Sequence, residues 1–166
     1  MQETNNGQPT KKLVILIGIP GCGKSTYAAK YAEEHGNTLV VSSDKVREKL
    51  YGDENEQGNP KHVFAKVRKE IVSAINGDTY NTVILDATNI KKKDRQSFIE
   101  EVRTKATKRF NTEAVLFNIP VDVCKLRNAG RDRNVPEKVI DRMHRQLCRP
   151  TEDEGFDNIL TVESLD

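Results

Sequence analysis

Eight consecutive residues, Gly18-Ile19-Pro20-Gly21-Cys22-Gly23-Lys24-Ser25, combine glycines, a lysine and a hydroxyl in an order suited to gripping phosphate. They fit the pattern G-x-x-x-x-G-K-[ST] of a phosphate-binding P-loop. Lacking a Cβ, Gly21 and Gly23 let the backbone close its N–H groups around phosphate oxygens. Cys22 belongs to the nucleotide-binding stretch by position, where a small residue is tolerated. Lys24 can put a mobile charge on the β- and γ-phosphates of a nucleotide. The Ser25 hydroxyl suits Mg²⁺. Thr26 follows at the start of a helix whose positive end adds to the same anion site. ATP and Mg²⁺ are therefore the expected phosphate donor and metal.

Three further groups of residues could complete a site. The β-branched run Thr38 to Val41 reads as a strand that delivers Ser42, Ser43 and Asp44 at its carboxyl end. Ligands of open α/β sheets sit beyond that end, so Asp44 would share an edge with the P-loop. Asp44 equally suits the N-cap of a short helix with Arg47 and Glu48 one turn on. Thr82 to Leu85 is another buried-type strand, running into Asp86-Ala87-Thr88-Asn89. An apolar strand ending in aspartate is the pattern of a Walker-B element, whose carboxylate reaches Mg²⁺ or its waters. Finally, Arg127, Arg131 and Arg133 lie in a break between helices that contains Gly130 and Asn134. Arginine charge is permanent and its fork matches phosphate oxygens, as a phosphoryl-transfer lid requires. The plain alternative is a basic surface loop.

The elements that must position these residues alternate along the chain. Leu13 to Ile17 is a solid apolar run of the kind a strand buried on both faces needs. Helices are predicted from Lys24 to about His35, and from Asn59-Pro60 onward with Phe64, Val67, Ile71 and Ile75 on one face. The charged stretch Lys91 to Arg109 buries only Phe98, Ile99 and Val102, with Lys91-Lys92-Lys93 on a solvated face. A strand over Glu113 to Ile119 and a helix over Val121 to Asn128 follow. Val139, Ile140, Met143 and Leu147 then give a helix whose other side carries Arg142, Arg145 and Arg149. Phe156 to Val162 reads as a last strand, and the polar stretch 51–60 as a flap over the active edge. This pattern predicts an α/β domain over residues 11–166 behind a disordered tail, 1–10.

Composition narrows the function classes. A net charge of +2 over 166 residues leaves recognition to local charge. With 5% aromatic residues and no Trp, a broad base-stacking surface is excluded. Cys22, Cys124 and Cys148 form no CxxC, and His35, His62 and His144 are scattered, so neither a disulfide framework nor a zinc site is expected. That cysteine usage points to a reducing, cytoplasmic setting. No apolar run approaches the ~20 residues of a membrane span, so no membrane partner is expected.

Taken together, GIPGCGKST, VSSDKVR, ILDATN and RNAGRDRNVP resemble the 5′-polynucleotide kinase family, which includes the kinase half of phage polynucleotide kinase–phosphatases and the kinase module of bacterial RNA-repair enzymes. The likeness runs from about Leu13 to Phe156 and takes in Asp53 to Asn55 and the EGF around Gly155. It implies a P-loop kinase-type three-layer sandwich with a mostly parallel central sheet in strand order 2-3-1-4-5. It implies transfer of the ATP γ-phosphate to the 5′-hydroxyl end of RNA or DNA. In that scheme Asp44 is the general base, Arg47 grips the acceptor's 3′-phosphate, and Thr88, with Asn89 beside it, meets the acceptor. Arg131 clamps the donor phosphates, helped by Arg127 and Arg133, while Lys24 completes the catalytic set and Ser25 with Asp86 holds the metal. No D-x-D-G-T phosphatase motif is present, so only the kinase step is implied. Two rivals remain at this point: a P-loop kinase with a small hydroxyl acceptor or a tRNA-linked amino acid, and a non-catalytic ATP-binding regulator. A GTPase would need N-K-x-D and D-x-x-G motifs, which the chain lacks.

Overall fold

A computed structural model describes residues 11–52, 59–131 and 135–164. Among these, five strands form one parallel sheet: β1 (Lys12–Ile17), β2 (Thr38–Ser42), β3 (Thr82–Asp86), β4 (Asn111–Phe117) and β5 (Asn158–Val162). Their spatial order is β2-β3-β1-β4-β5, as the resemblance implies. The helices are α1 (Lys24–His35), α2 (Ser43–Tyr51), α3 (Pro60–Asn76), α4 (Lys92–Lys105), α5 (Val121–Ala129) and α6 (Glu137–Gln146), with a short 3₁₀ turn at Glu152–Glu154. The tail assigned to 1–10 and the stretch Asp53 to Asn55 lie outside the described residues.

The centre of the sheet follows from β1, where Leu13 to Ile17 are all fully buried. Alternate side chains serve opposite layers, as strand pleating dictates. Leu13, Ile15 and Ile17 pack with Val63, Val67 and Ile71 of α3 and with Ile99 and Val102 of α4. Val14 and Leu16 pack with Ala28 of α1, Cys124 of α5 and Ile140 of α6. The sandwich thus has three layers.

Two details near the site differ from the sequence expectation for physical reasons. The first is α2, which starts one residue before Asp44. Ser42 is its N-cap, its hydroxyl accepting from the Lys45 N–H at 3.3 Å. Asp44 therefore occupies the first turn, with its side chain released from capping duty. In α3 the buried stripe is Val63, Val67, Ile71, Ala74 and Ile75. Phe64 is only half-buried and turns toward the carboxyl edge of the sheet.

The three cysteines divide by burial: Cys22 and Cys124 are buried and Cys148 is exposed, all as free thiols. Burial, with Cys22 as a neighbour, pushes the Cys124 thiol up to about 11. Titration of the native protein with a thiol-specific disulfide reagent is expected to give one fast thiol, Cys148, and three after denaturation. A second fast thiol would show that the P-loop opens readily. None of the described helices is long and apolar enough to cross a membrane.

Candidate active site

The site forms because three strands end together at one edge of the sheet. In the β2–β3 register Ser42 lies opposite Asp86, so the chain reaches Asp44 just beyond the strand end beside Asp86. β1 flanks β3 on the other side and runs straight into Gly18 and the P-loop. A pocket of about 920 Å³ opens there, lined by Gly21, Gly23, Lys24, Ser25 and Thr26 of the loop. Asp44 and Arg47 of α2, Asp86 at the end of β3, Thr88 just after it, and Arg127 and Arg131 at the end of α5 share its wall.

The loop has the backbone that phosphate binding needs. Gly21 and Gly23 have φ of 85° and 98°, a region that side-chain-bearing residues avoid. A Cβ on Gly21 would lie 2.2 Å from the Cys124 carbonyl oxygen of α5, so the loop rests directly on that helix. Gly21→Ala is therefore expected to lower thermal stability and to weaken nucleotide binding together, since α5 also carries Arg127. Calorimetric melting and nucleotide titration would check this; an unchanged variant on both counts would contradict the contact. Gly23 is the N-cap of α1, which has no side-chain cap and no acidic residue in its first turn. Its leading N–H groups are left for an anion.

Lys24 is buried, with 9% exposure. Its ammonium donates to the Gly18 and Ile19 carbonyl oxygens, each at 3.0 Å, and lies 3.6 Å from Cys22 Sγ. Among the described residues it has no carboxylate partner. A buried cation without a counter-charge is costly, and a phosphate in the loop would supply one.

Ser25 Oγ donates to Asp86 Oδ2 at 2.7 Å, and Asp86 is buried. These are hard oxygen donors at the pocket floor, the type Mg²⁺ prefers when it binds through one or two protein groups plus substrate phosphates. No group of three or more His, Cys, Asp or Glu side chains that could hold a metal ion exists among the described residues. Arg47 donates from an η nitrogen to Asp44 Oδ1 at 2.6 Å. The guanidinium keeps further N–H donors, so it can hold Asp44 in place and still meet an anion.

Two residues assigned to the site from sequence stand elsewhere. Asn89 does not line the pocket. It sits at φ 48° and its amide donates to Leu16 O at 2.7 Å and Ala87 O at 3.2 Å, fastening the turn to β1. Cys22 is buried behind the loop and its N–H is used by Ile19 O at 3.3 Å. Arg133 lies outside the described residues. Conversely, the pocket includes Phe64, Val139, Arg142 and Met143, which sequence reading left in the core or on a surface face, and Val135 and Pro136, which it left without a role at the end of the arginine-bearing break. The spacing of Arg142 from Met143 and Val139 was the available signal, but it does not say which side of the helix faces the pocket.

A parallel sheet in this order, whose first strand feeds a glycine loop and an uncapped helix, is the α/β fold of the P-loop kinases. The chain belongs to the AAA_33 family, described as an AAA domain, whose model matches residues 13–150. Among curated relatives it is similar to an L-seryl-tRNA(Sec) kinase of Methanococcus maripaludis, 24% identical over 172 residues and covering 93% of this chain. The chain spans only 61% of that relative's length. Its fold is similar to a fungal RNA kinase, with a TM-score of 0.73 at 18% identity, over 95% of this chain and 76% of that one. It is also similar to a chain of the Pnkp1/Rnl/Hen1 RNA repair complex, with a TM-score of 0.69 at 25% identity, over 88% of this chain and 47% of that one.

Proposed function

We propose that this protein is a polynucleotide 5′-hydroxyl kinase that transfers the γ-phosphate of ATP to a 5′-OH end of RNA or DNA. The observation that carries the reading is the single pocket in which the P-loop faces the Asp44–Arg47 pair and Thr88. A donor phosphate chain and an acceptor hydroxyl can therefore meet there. The likeness to an RNA kinase and to a chain of an RNA repair complex supports it.

The chemistry asks the protein for positioning and for charge stabilisation. The first-turn N–H groups of α1 and the Lys24 ammonium hold the donor phosphates. Ser25 and Asp86 would hold Mg²⁺, which when bound neutralises charge on the phosphate oxygens. Arg127 and Arg131 approach from α5 and stabilise the negative charge that develops during transfer. Asp44 orients the acceptor hydroxyl and takes its proton. Arg47 fixes the Asp44 carboxylate and meets the acceptor's 3′-phosphate, with Thr88 beside it. The breaking bond joins the β–γ bridging oxygen to the γ-phosphorus; the new bond joins that phosphorus to the acceptor oxygen.

A second reading has an observation of its own. The similarity to an L-seryl-tRNA(Sec) kinase favours a hydroxyl on a tRNA-linked amino acid. Label transfer from ATP with Mg²⁺ to a 5′-OH oligonucleotide, a nucleoside 3′-phosphate, seryl-tRNA and a panel of sugars separates the two. The proposal expects label on the first two; label confined to seryl-tRNA or sugars overturns it.

A further inference from the structure

The acceptor pocket leaves most of one helix face unexplained. On α6, Lys138, Arg142 and Arg145 are spaced by four and three residues, so their side chains leave the helix on one side. All three are exposed. The other sides are occupied differently. Ile140 is fully buried, and Val139 and Met143 pack on the same cluster. Asp141 turns to α5, where it pairs with Lys125 at 2.8 Å, and this hydrogen bond, with Glu137 nearby, raises the Lys125 pKa. Asp141 stands three residues after Lys138 and four before Arg145, yet its carboxylate pairs with α5 and with neither of them. Among the described residues none of the three cations has a carboxylate partner. Like charges one turn apart repel, and no close ion pair among the described residues offsets that repulsion.

The stripe is placed with respect to the pocket. Arg142 is on its wall, beside Met143 and Val139. Lys138 lies one turn nearer Val135 and Pro136. Arg145 lies one turn nearer the other end of α6, where the Cys148 N–H bonds Ile90 O at 2.8 Å. Ile90 follows Thr88 and Asn89, so this end of the helix abuts the acceptor side. Arg149, also exposed, continues the charge beyond the helix and donates to Asn118 Oδ1 at 3.3 Å. From Lys138 to Arg145 is about 10 Å along the helix axis, against about 3.4 Å per phosphate along one strand of a duplex. The stripe therefore spans more than one phosphate.

We propose that this face of α6 is a track for the phosphodiester backbone of a polynucleotide whose 5′ end occupies the pocket. The inference rests on the kinase reading above and extends it: the substrate is a polymer, held by charge beyond its first phosphate. With few aromatic residues in the chain, the track reads backbone charge and not base identity.

Binding is the readout, so the test does not depend on transfer. A 3′-fluorescein-labelled 5′-OH RNA decamer would be titrated by anisotropy with wild-type protein and with the Lys138→Glu/Arg145→Glu double variant, which leaves Arg142 and the pocket wall in place. Circular dichroism and melting would confirm that the variant is folded. The expected result is at least tenfold weaker binding and a log–log salt slope shallower by about 1.4, two phosphate contacts on a single strand. The same variant should bind a nucleoside 3′-phosphate as the wild type does. Unchanged decamer affinity, or an equal loss for both ligands, overturns the track. So does a glutamate decamer that binds as tightly as the RNA and suffers the same loss, because the surface would then serve an acidic protein. Loss of decamer binding in the variant, with wild-type protein that labels neither RNA nor the 3′-nucleotide, would support the track and overturn the kinase reading.

Discussion

Asp44→Asn is expected to lower phosphoryl transfer to a 5′-hydroxyl by about 10²–10⁴-fold, the range a general base supplies, while ATP binds as before. The separation follows from geometry. Asp44 stands on α2, beyond the end of β2, whereas the donor phosphates belong to the loop after β1 and to the N-terminus of α1. Asparagine keeps the shape of the side chain and a hydrogen-bonding oxygen for Arg47, so the pair at 2.6 Å is weakened, not emptied. Arg47 then carries an unopposed charge toward the acceptor. The loss should therefore fall on kcat, while KM for an acceptor bearing a 3′-phosphate should not rise. Lys24→Ala supplies the contrast. Its ammonium is buried among loop carbonyls, and its loss should weaken ATP binding and turnover together. Steady-state kinetics with a nucleoside 3′-phosphate, with nucleotide titration alongside, reads both. Full activity in the Asp44→Asn variant would remove Asp44 from the role of base.

How much of this site could be read from sequence depends on how local its causes are. The P-loop is a local pattern, and the buried strand before it follows from an unbroken apolar run, so both were legible. Asp44 and Asp86 were legible as strand-end carboxylates. That they stand side by side depends on the β2–β3 register, Ser42 opposite Asp86, which no local pattern encodes. Asn89 belongs to a motif that invites a substrate role, yet its amide is committed to the Leu16 and Ala87 carbonyls. Phe64 and Arg142 were missed for a related reason. Helical periodicity separates the buried face from the rest, but the pocket edge lies at the border of the two. Arg95 was the largest omission. It sits in a charged stretch that reads as a solvated face, and its partner lies 59 residues further on.

That partner, Glu154, carries the largest expected effect on stability. Both side chains of the Arg95–Glu154 pair are fully buried. The guanidinium binds both carboxylate oxygens, at 2.7 and 3.0 Å, and donates to the Asn89 carbonyl at 2.8 Å. Glu154 Oε2 also accepts from the Thr151 N–H at 2.8 Å. The pair thus joins α4, the turn after β3 and the 3₁₀ turn before β5. Removing one member strands a charge where water cannot reach it, at a cost of about 3–5 kcal/mol. For a chain of this size that is roughly 6–20 °C in Tm. Glu154→Leu alone and Arg95→Met alone should each show a loss in this range. The double variant should lose less than their sum, because it leaves no isolated charge; it should not recover fully, because the Asn89 carbonyl and the Thr151 N–H remain without these partners. Because Asn89 adjoins Thr88 on the pocket wall, Arg95→Met should also raise KM for the acceptor more than KM for ATP. A Glu154→Leu protein that melts with the wild type would show that the pair contributes no net stability, and the turn bearing Thr88 would then owe its position to the Asn89 amide and to the bond from the Gly18 N–H to the Thr88 carbonyl at 3.0 Å.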